Sequence, residues 1–454
     1  VAVGLVGSEM CIRDRSEVAR GAFERAGIVV IENPDELFPA AEALSSLPPI
    51  KNNQIAILAD GGGHATIAAD LLTDLGVTIP ELSPKTQSAL QKILPASATV
   101  TNPVDVAGGT DSDPTLFAEC ARIILNDQQV GGLLIVGLFG GYGIRFAESL
   151  RFMEEDAAHR MGKLVRKRHK PIVLHSLYTS AKPHSLELLR YYGIPVYDSL
   201  DIACKCTGML AHYGSFLKSY HSKAHFDMNW KAKAKPAANR IIETARAEGR
   251  RFLLEPEAKK LLELHGAPVS QDQVAQNADD AVRIAESIDG AVVLKVVSPQ
   301  ILHKSDAGGV RIGLHGQEHV RRAFDEILIN ARRFDPEADI RGVLVSPMAP
   351  SGVEVIIGTK YDDQFGPVIM YGLGGIMVEI LKDVSFRVLP LSPPSARKMI
   401  EETKSFPILD GVRSTPPSDK KAIQKLLLLC SEVVESYPEI AEMDLNPVIV
   451  HNTG

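Results

Sequence analysis

The chain has 454 residues, 45% of them hydrophobic, with a formal net charge of −7 and a pI near 6.0. That length exceeds the usual domain of about 100–200 residues and implies two or three domains. The acidic balance argues against a nucleic-acid partner, and no apolar run reaches the roughly 18–20 residues of a membrane-spanning helix. Cys11, Cys120, Cys204, Cys206 and Cys430 are too few for a disulfide framework and fit a reducing cytoplasm, the expected location.

There is no initiator Met, and residues 1–15 lack the charged start and small-residue cleavage site of a signal peptide. The string GLVGSEMCIRDR resembles translated sequencing-adapter read-through and is set aside from fold reasoning. The far end stops directly after a strand-like Pro447-Val448-Ile449-Val450, so the chain is expected to be a fragment truncated at both ends.

From Ser16 to Ala41 the pattern is a helix, a short apolar strand (Gly27 to Ile31) and an acidic helix start at Asn33-Pro34-Asp35-Glu36. Pro48-Pro49 punctuates it. Between Lys51 and Leu217, apolar runs begin at Ile55, Gly132, Pro171 and Ile194, each followed by a turn signal and a helical pattern. This alternation predicts βαβ units on a parallel sheet. Ligands on such sheets bind at the C-terminal strand ends, which here carry Asp60-Gly61-Gly62-Gly63-His64, Asn102-Pro103-Val104-Asp105 and Gly137 to Gly141. Gly61, Gly62 and Gly63 open a helix, where backbone N–H groups can approach an anion. A glycine-rich turn needed only for tight strand–helix geometry is the competing interpretation.

A basic run, Lys163 to Lys170, is expected to be a solvated helix face. Cys204 and Cys206 should point to different faces of one helix, which disfavours a metal site. Residues Lys218 to Arg240 are Lys/Ala/Pro-rich with little periodicity and suggest an interdomain linker, bounded at 218–245. Beyond it an amphipathic helix begins at Leu254, and strands follow at Ala291–Lys295, Gly342–Val345, Val353–Gly358 and Val368–Gly372. Helices follow from Pro394 and Asp419, so this second domain is predicted to be α+β.

Walker A and dinucleotide-binding fingerprints are both absent. A nucleotide would have to be held by another device. Lys295 at a strand end supplies a point charge for phosphates. Glu354, Glu379 and the Glu442-Met443-Asp444-Leu445-Asn446-Pro447 motif supply hard oxygen ligands for Mg²⁺. Between them, His303 sits in a Pro- and Gly-bounded loop with Lys304, Ser305 and Asp306. Neutral imidazole can accept a phosphoryl group, Lys304 could offset its charge and Asp306 could orient the ring; a plain surface-loop histidine is the alternative.

The strings LLEPEAKKLL, VVLKVVSPQILHKSDAGGVRIGL, GVEVIIGTKYDDQFGPVIMYGLGGIMVEILKDVSFRVLPL, ILDGVR and EIAEMDLNPV resemble, in order and spacing, the ATP-grasp domain of the ADP-forming acetate–CoA ligase family, relatives of succinyl-CoA synthetase. The resemblance spans about Leu253 to Val450. Residues 51–217, with NPVDVAGG, are similar to that family's flavodoxin-like succinyl-CoA-ligase-type domain, and residues 16–48 to the end of a preceding flavodoxin-like domain.

The resemblance implies the reaction acyl-CoA + ADP + phosphate ⇌ carboxylic acid + CoA + ATP, through acyl-phosphate and phosphohistidine. It implies ATP/ADP and Mg²⁺ as cofactors, CoA as a substrate whose own binding domain is absent, and small-molecule partners, with a homo-oligomer left open. On this resemblance His303 is the relay histidine and Lys295 the nucleotide-phosphate lysine. Asp444 is the acidic residue of the tail motif and Asn446 its Mg²⁺ ligand. Gly342 to Met348, including Ser346, Pro347 and Met348, forms the adenine hinge, with Glu354 the neighbouring strand acid. The helix opened by Gly61, Gly62 and Gly63 is then one that stabilises phosphohistidine.

This chain departs from the family in three places. Glu9 to Arg15 stands where the family's first phosphohistidine lies, the CoA-binding domain is missing, and the chain ends before a second metal-ligand Asp. The fragment alone is therefore expected to bind nucleotide poorly and not to complete the cycle. Two other readings stay open, a multidomain protein-lysine acetyltransferase with a regulatory ligase-like region and a non-catalytic nucleotide-binding paralogue.

Overall fold

The computed structural model describes residues 12–221, 234–374, 383–411 and 416–453. Two compact units divide the chain: residues 27–224 form one, and residues 1–26 with 225–454 form the other.

Helix α1 (Ile12–Ala26) belongs to the second unit. There it lies against a strand that includes Phe386, and Gly21 permits the approach, since a Cβ on it would stand 2.8 Å from the Phe386 carbonyl oxygen. Gly27, at φ +77°, ends the helix in the left-handed region that favours glycine. The strand expected over Gly27 to Ile31 does not form. A strand exists only by pairing, and none of the described strands lies beside this run.

In the first unit, α2 (Leu37–Ser46) precedes β1 (Ile55–Ala59), α3 (Gly62–Asp74), α4 (Pro84–Gln91), β2 (Val104–Asp105), α5 (Leu116–Leu125), β3 (Gly132–Val136), α6 (Tyr142–Arg145), α7 (Leu150–Arg168), β4 (Ile172–His175), α8 (His184–Tyr191), β5 (Val196–Tyr197) and α9 (Leu200–His221). The strands are all parallel in the order β2-β1-β3-β4-β5. Every residue of β1, β3 and β4 is buried, as expected of a sheet covered by helices on both faces. The strand order reverses between β1 and β3, and ligands of doubly wound sheets bind at such a reversal. Lys163, Arg166, Lys167 and Arg168 are exposed on α7, while Lys170 donates to the carbonyls of Leu125 (2.9 Å), the last residue of α5, and Asp127 (2.7 Å) just past it. Cys204 and Cys206 are buried, unpaired thiols.

In the second unit, the stretch expected as linker contains α10 (Pro236–Ala247), whose Ala238, Ile242 and Ala245 are buried. Then come α11 (Glu255–Leu264), β6 (Gln273–Ala275), α12 (Ala278–Glu286), β7 (Val292–Val297), β8 (Val310–Leu314), α13 (Gln317–Phe334), β9 (Gly342–Pro347), β10 (Val353–Asp362), β11 (Gly366–Leu373) and β12 (Val384–Val388). Helices α14 (Pro393–Glu401), α15 (Phe406–Leu409) and α16 (Lys420–Ser436) lead to β13 (Glu442–Val450). The strands form two antiparallel sheets, β6-β9-β7-β8 and β12-β11-β10-β13. Val292, Leu294 and Val296 of β7 pack with Val343 and Val345 under α12 and α13, which leaves Lys295 and Ser346 on the opposite face. In the other sheet Val355, Ile357 and Leu445 enter a core with α16, leaving Glu354, Gly358 and Asp444 on the far face.

Candidate functional site

The end of α11 that carries Glu255 is fixed by Glu257, whose carboxylate accepts from the Leu254 N–H (2.8 Å) and takes both arms of Arg250 (2.7 Å each). This sets Glu255 at the first helical position, its side chain only 1% exposed. Three ammoniums converge on it: Lys295 of β7 at 2.8 Å and Lys259, one turn along α11, at 3.3 Å, both on Oε1, and Lys304 at 3.3 Å on Oε2. Lys259 is held from behind by the Ser270 hydroxyl (3.0 Å) and by Asp272. Burial works to raise the Glu255 pKa, but the charges of Lys295, Lys304 and Lys259 outweigh it and hold it at about 2. Three ammoniums thus face two carboxylates, and the surplus positive charge lies on the two most open of them, Lys295 (19% exposed) and Lys304 (13%).

Lys304 opens the turn that carries His303. Gly309 N–H closes that turn on the Lys304 carbonyl (2.8 Å), and Gly308 N–H bonds to Ser305 (3.0 Å). Gly308 sits at φ +61°, and a Cβ on Gly309 would stand 2.5 Å from Val296 Cγ1, so this turn requires both glycines. His303 is exposed, with its carbonyl accepting from Ala307 N–H (3.3 Å). Asp306, expected to orient the ring, makes no hydrogen bond to it among the described residues; the turn buries Ala307 and leaves Asp306 exposed. Beside the turn is a small cleft of about 30 Å³, bordered by Leu254, Glu255, Val297, Ile301, Leu302 and Lys304.

Of the hinge residues, Ser346 shares the Lys295 face, and its buried hydroxyl has no hydrogen-bond partner among the described residues. Such an orphaned group in a native protein suits a ligand. Pro347 ends β9, and Met348, 47% exposed, donates its N–H to the Ala291 carbonyl (2.9 Å). On the other sheet Asp444 lies opposite Gly358, with Glu354 four residues before it on the same face of β10. Asn446 lies two residues along β13, where the pairing with β10 shifts register between Leu445 and Val448. Burial, then the charge of Glu442, pushes the Asp444 carboxyl up to about 6. Asp444 and Asn446 offer two hard oxygens, which suits Mg²⁺ shared with phosphates and water. No group of three or more His, Cys, Asp and Glu among the described residues is arranged to hold a metal by itself. Glu379 and the end of ILDGVR (Val412, Arg413) lie outside the described residues.

In the first unit, Gly61 precedes α3, and Gly62 and Gly63 begin it. A Cβ on Gly61 or Gly63 would meet nothing within 4 Å, and neither residue has a positive φ, so packing and backbone strain do not require glycine there. The open space above the helix start is compatible with an anion.

Sequence reasoning placed Asp60, His64 and Gly137 to Gly141 at strand ends but missed Glu154, His175 and every contact among these groups. Asp60 ties the β1 end to the β3 end by accepting from Leu138 N–H (2.6 Å) and the Tyr142 hydroxyl (3.3 Å). Glu154, 1% exposed, accepts from the N–H groups of Gly140 (2.7 Å), Tyr142 (3.1 Å) and Gly143 (3.1 Å). The His64 and His175 rings lie 5.8 Å apart. All these contacts link residues from separate strand ends or helices, and spacing carries no trace of them.

Burial pushes the Asp60 carboxyl from 3.8 up to about 6, against the opposing hydrogen bonds from Leu138 and Tyr142. The folded protein therefore holds that proton more tightly than the unfolded chain. Stability falls as pH rises from about 4 to about 6, and the full penalty persists above that. Asp60→Asn keeps an acceptor and removes the charge. It should raise unfolding free energy by about 1–2 kcal/mol at pH 8 and leave it unchanged at pH 4, as urea titrations at the two pH values would show.

No helix among the described residues is long and apolar enough to cross a membrane. The profile of an ATP-grasp domain matches residues 244–454, and that of a Ligase-CoA domain matches residues 55–180. Acetate–CoA ligase (ADP-forming) I of Archaeoglobus fulgidus is 36% identical over 438 residues, covering 96% of this chain and 60% of its own length. The 4-hydroxybutyrate–CoA ligase (ADP-forming) of Nitrosopumilus maritimus is 31% identical with the same coverage, so the chain spans about three-fifths of these relatives. The beta subunit of acetate–CoA ligase (ADP-forming) I of Pyrococcus furiosus is 49% identical over 214 residues, 92% of its length. The chain belongs to the ADP-forming acetate–CoA ligase family.

Proposed function

We propose that this chain carries the nucleotide-binding and phosphohistidine-relay part of an ADP-forming acyl-CoA ligase, which converts acyl-CoA, ADP and phosphate to carboxylic acid, CoA and ATP. The observation that carries it is the Lys295–Glu255–Lys304 cluster beside the exposed His303. A surplus of positive charge next to a solvent-accessible imidazole suits transfer of a phosphoryl group between a nucleotide and that ring.

In the ATP-consuming direction a His303 ring nitrogen attacks the γ-phosphorus. A nitrogen–phosphorus bond forms, the bond from that phosphorus to the bridging oxygen breaks, and ADP leaves with the electron pair. Lys295 offsets phosphate charge, and Lys304 offsets charge on the group as it reaches the histidine. Ser346 supplies a hydrogen bond from the sheet face, and Pro347 and Met348 border the base. Asp444 and Asn446 would hold Mg²⁺, which would neutralise phosphate charge, and Glu354 lies further along the same face of β10. In the first unit, the N-terminal turn of α3 at Gly61, Gly62 and Gly63 is the second anion site, for the phosphohistidine. The coenzyme A partner and the acid are small molecules. Relatives named for acetate and for 4-hydroxybutyrate leave the choice of acid open.

Incubating the chain with Mg²⁺ and γ-labelled ATP should give an acid-labile, base-stable protein phosphate. His303→Ala should abolish that label and leave the unfolding temperature within about 2 °C of the parent, since the ring is exposed. A fully folded protein that takes no label, or a variant that labels like the parent, overturns the assignment.

A further inference from the structure

The way one buried carboxylate divides its two oxygens has a consequence for the transfer step. Glu255 Oε1 takes Lys295, on the sheet face of the unpartnered Ser346 hydroxyl, and Oε2 takes Lys304, whose neighbour is His303. Oε2 is buried and makes no well-directed hydrogen bond among the described residues, so its 3.3 Å contact with Lys304 is one of charge alone. Lys259, with Ser270 and Asp272 behind it, fixes the carboxylate from the closed side. We propose that Glu255 is a positioning residue for phosphoryl transfer, setting the separation between the nucleotide-side lysine and the histidine turn.

The proposal rests on the relay function assigned to His303. It adds that the rate of transfer depends on a group that touches neither the nucleotide nor the histidine. A glutamine at 255 has an acceptor oxygen on one side and a donor NH₂ on the other. Its NH₂ would face an ammonium, so it holds one lysine and releases the other. Because Oε2 has the weaker contact, Lys304 is the one released.

The test compares the whole chain with Glu255→Gln, Lys304→Met, Lys304→Arg and the Glu255→Gln/Lys304→Met double variant. Three quantities are read: the rate of acid-labile labelling from γ-labelled ATP, Mg·ADP affinity by calorimetry and the unfolding temperature. Glu255→Gln should slow labelling at least tenfold while Mg·ADP affinity changes less than about threefold. Lys304→Met should do the same, Lys304→Arg should keep most of the rate, and the double variant should be no slower than Lys304→Met alone. Labelling that falls in step with affinity or unfolding temperature, or effects that multiply in the double variant, would reduce Glu255 to a structural ion pair and overturn the proposal. If Glu255→Gln fails to fold, the two Lys304 variants decide the matter: equal rates in arginine and methionine forms overturn it. Absence of label in the folded parent would instead remove the relay itself, a result distinct from a labelled parent with an indifferent Glu255.

Discussion

Lys295→Met should weaken Mg·ADP binding by between about tenfold and 100-fold while the second unit stays folded. A charge-assisted hydrogen bond to a phosphate is worth about 1.5–3 kcal/mol, which sets that range. The fold survives because Glu255 keeps Lys259 and Lys304, both at 3.3 Å. Breaking an isolated buried pair costs about 3–5 kcal/mol by leaving a naked charge; here Lys259 and Lys304 still balance the two carboxylates, Glu255 and Asp272, so the loss should be nearer 1 kcal/mol. The Glu255 carboxyl is held far below its ordinary 4.5, so the cluster stabilises the protein above that pH and loses its effect as pH falls toward 2. The variant should therefore unfold at a less acidic pH than the parent. Calorimetric titration with Mg·ADP at pH 7.5, together with an acid-unfolding curve, measures both effects. Unchanged affinity would remove Lys295 from the nucleotide site.

The parts of this site that could be read in the sequence are those carried by local pattern. Lys295 ends an apolar run, and His303 lies between Pro299 and the Gly308-Gly309 pair that the turn demands. Both follow from short-range chemistry. Glu255 was not legible, because an acid in the first turn of a helix is ordinary dipole compensation; its meaning comes from Lys295 and Lys304, which the antiparallel pairing of β7 delivers from far along the chain.

The same holds for the sheets. The buried runs of β1, β3, β4 and β9 announce themselves. Strand β8, Val-Arg-Ile-Gly-Leu, alternates apolar residues with Arg and Gly but is a short edge strand with no buried residue, and β12 alternates Val, Ser, Phe, Arg and Val over only five residues. The helix α10 was hidden in a Lys/Ala/Pro-rich stretch because its buried residues, Ala238, Ile242 and Ala245, are mostly small. Conversely, the apolar run from Gly27 to Ile31 has strand composition without a strand to pair with.

Asp444→Asn should have opposite effects on the empty and the liganded protein. In the empty protein, burial and the Glu442 charge push the Asp444 carboxyl from 3.8 up to about 6. Ionising it is therefore unfavourable in the fold, stability falls as pH rises between those values, and the whole penalty is present at pH 8. The group is only half-buried, so solvent screening reduces the effect, and the asparagine variant should gain at most about 1 kcal/mol at pH 8 and nothing at pH 4. A bound divalent cation reverses the sign, since it stabilises the ionised form. With Mg·ADP at about 100 times its dissociation constant, the parent should gain about 2.7 kcal/mol, and the variant should lose most of that gain. Thermal unfolding with and without Mg·ADP at pH 8 and at pH 4 separates the two. A variant less stable than the parent when empty would show that Asp444 serves the fold, and an undiminished Mg·ADP shift would remove it from the metal site. Only a carboxylate kept at some expense to the empty protein for the sake of a cation predicts both a more stable empty variant and a weaker response to ligand.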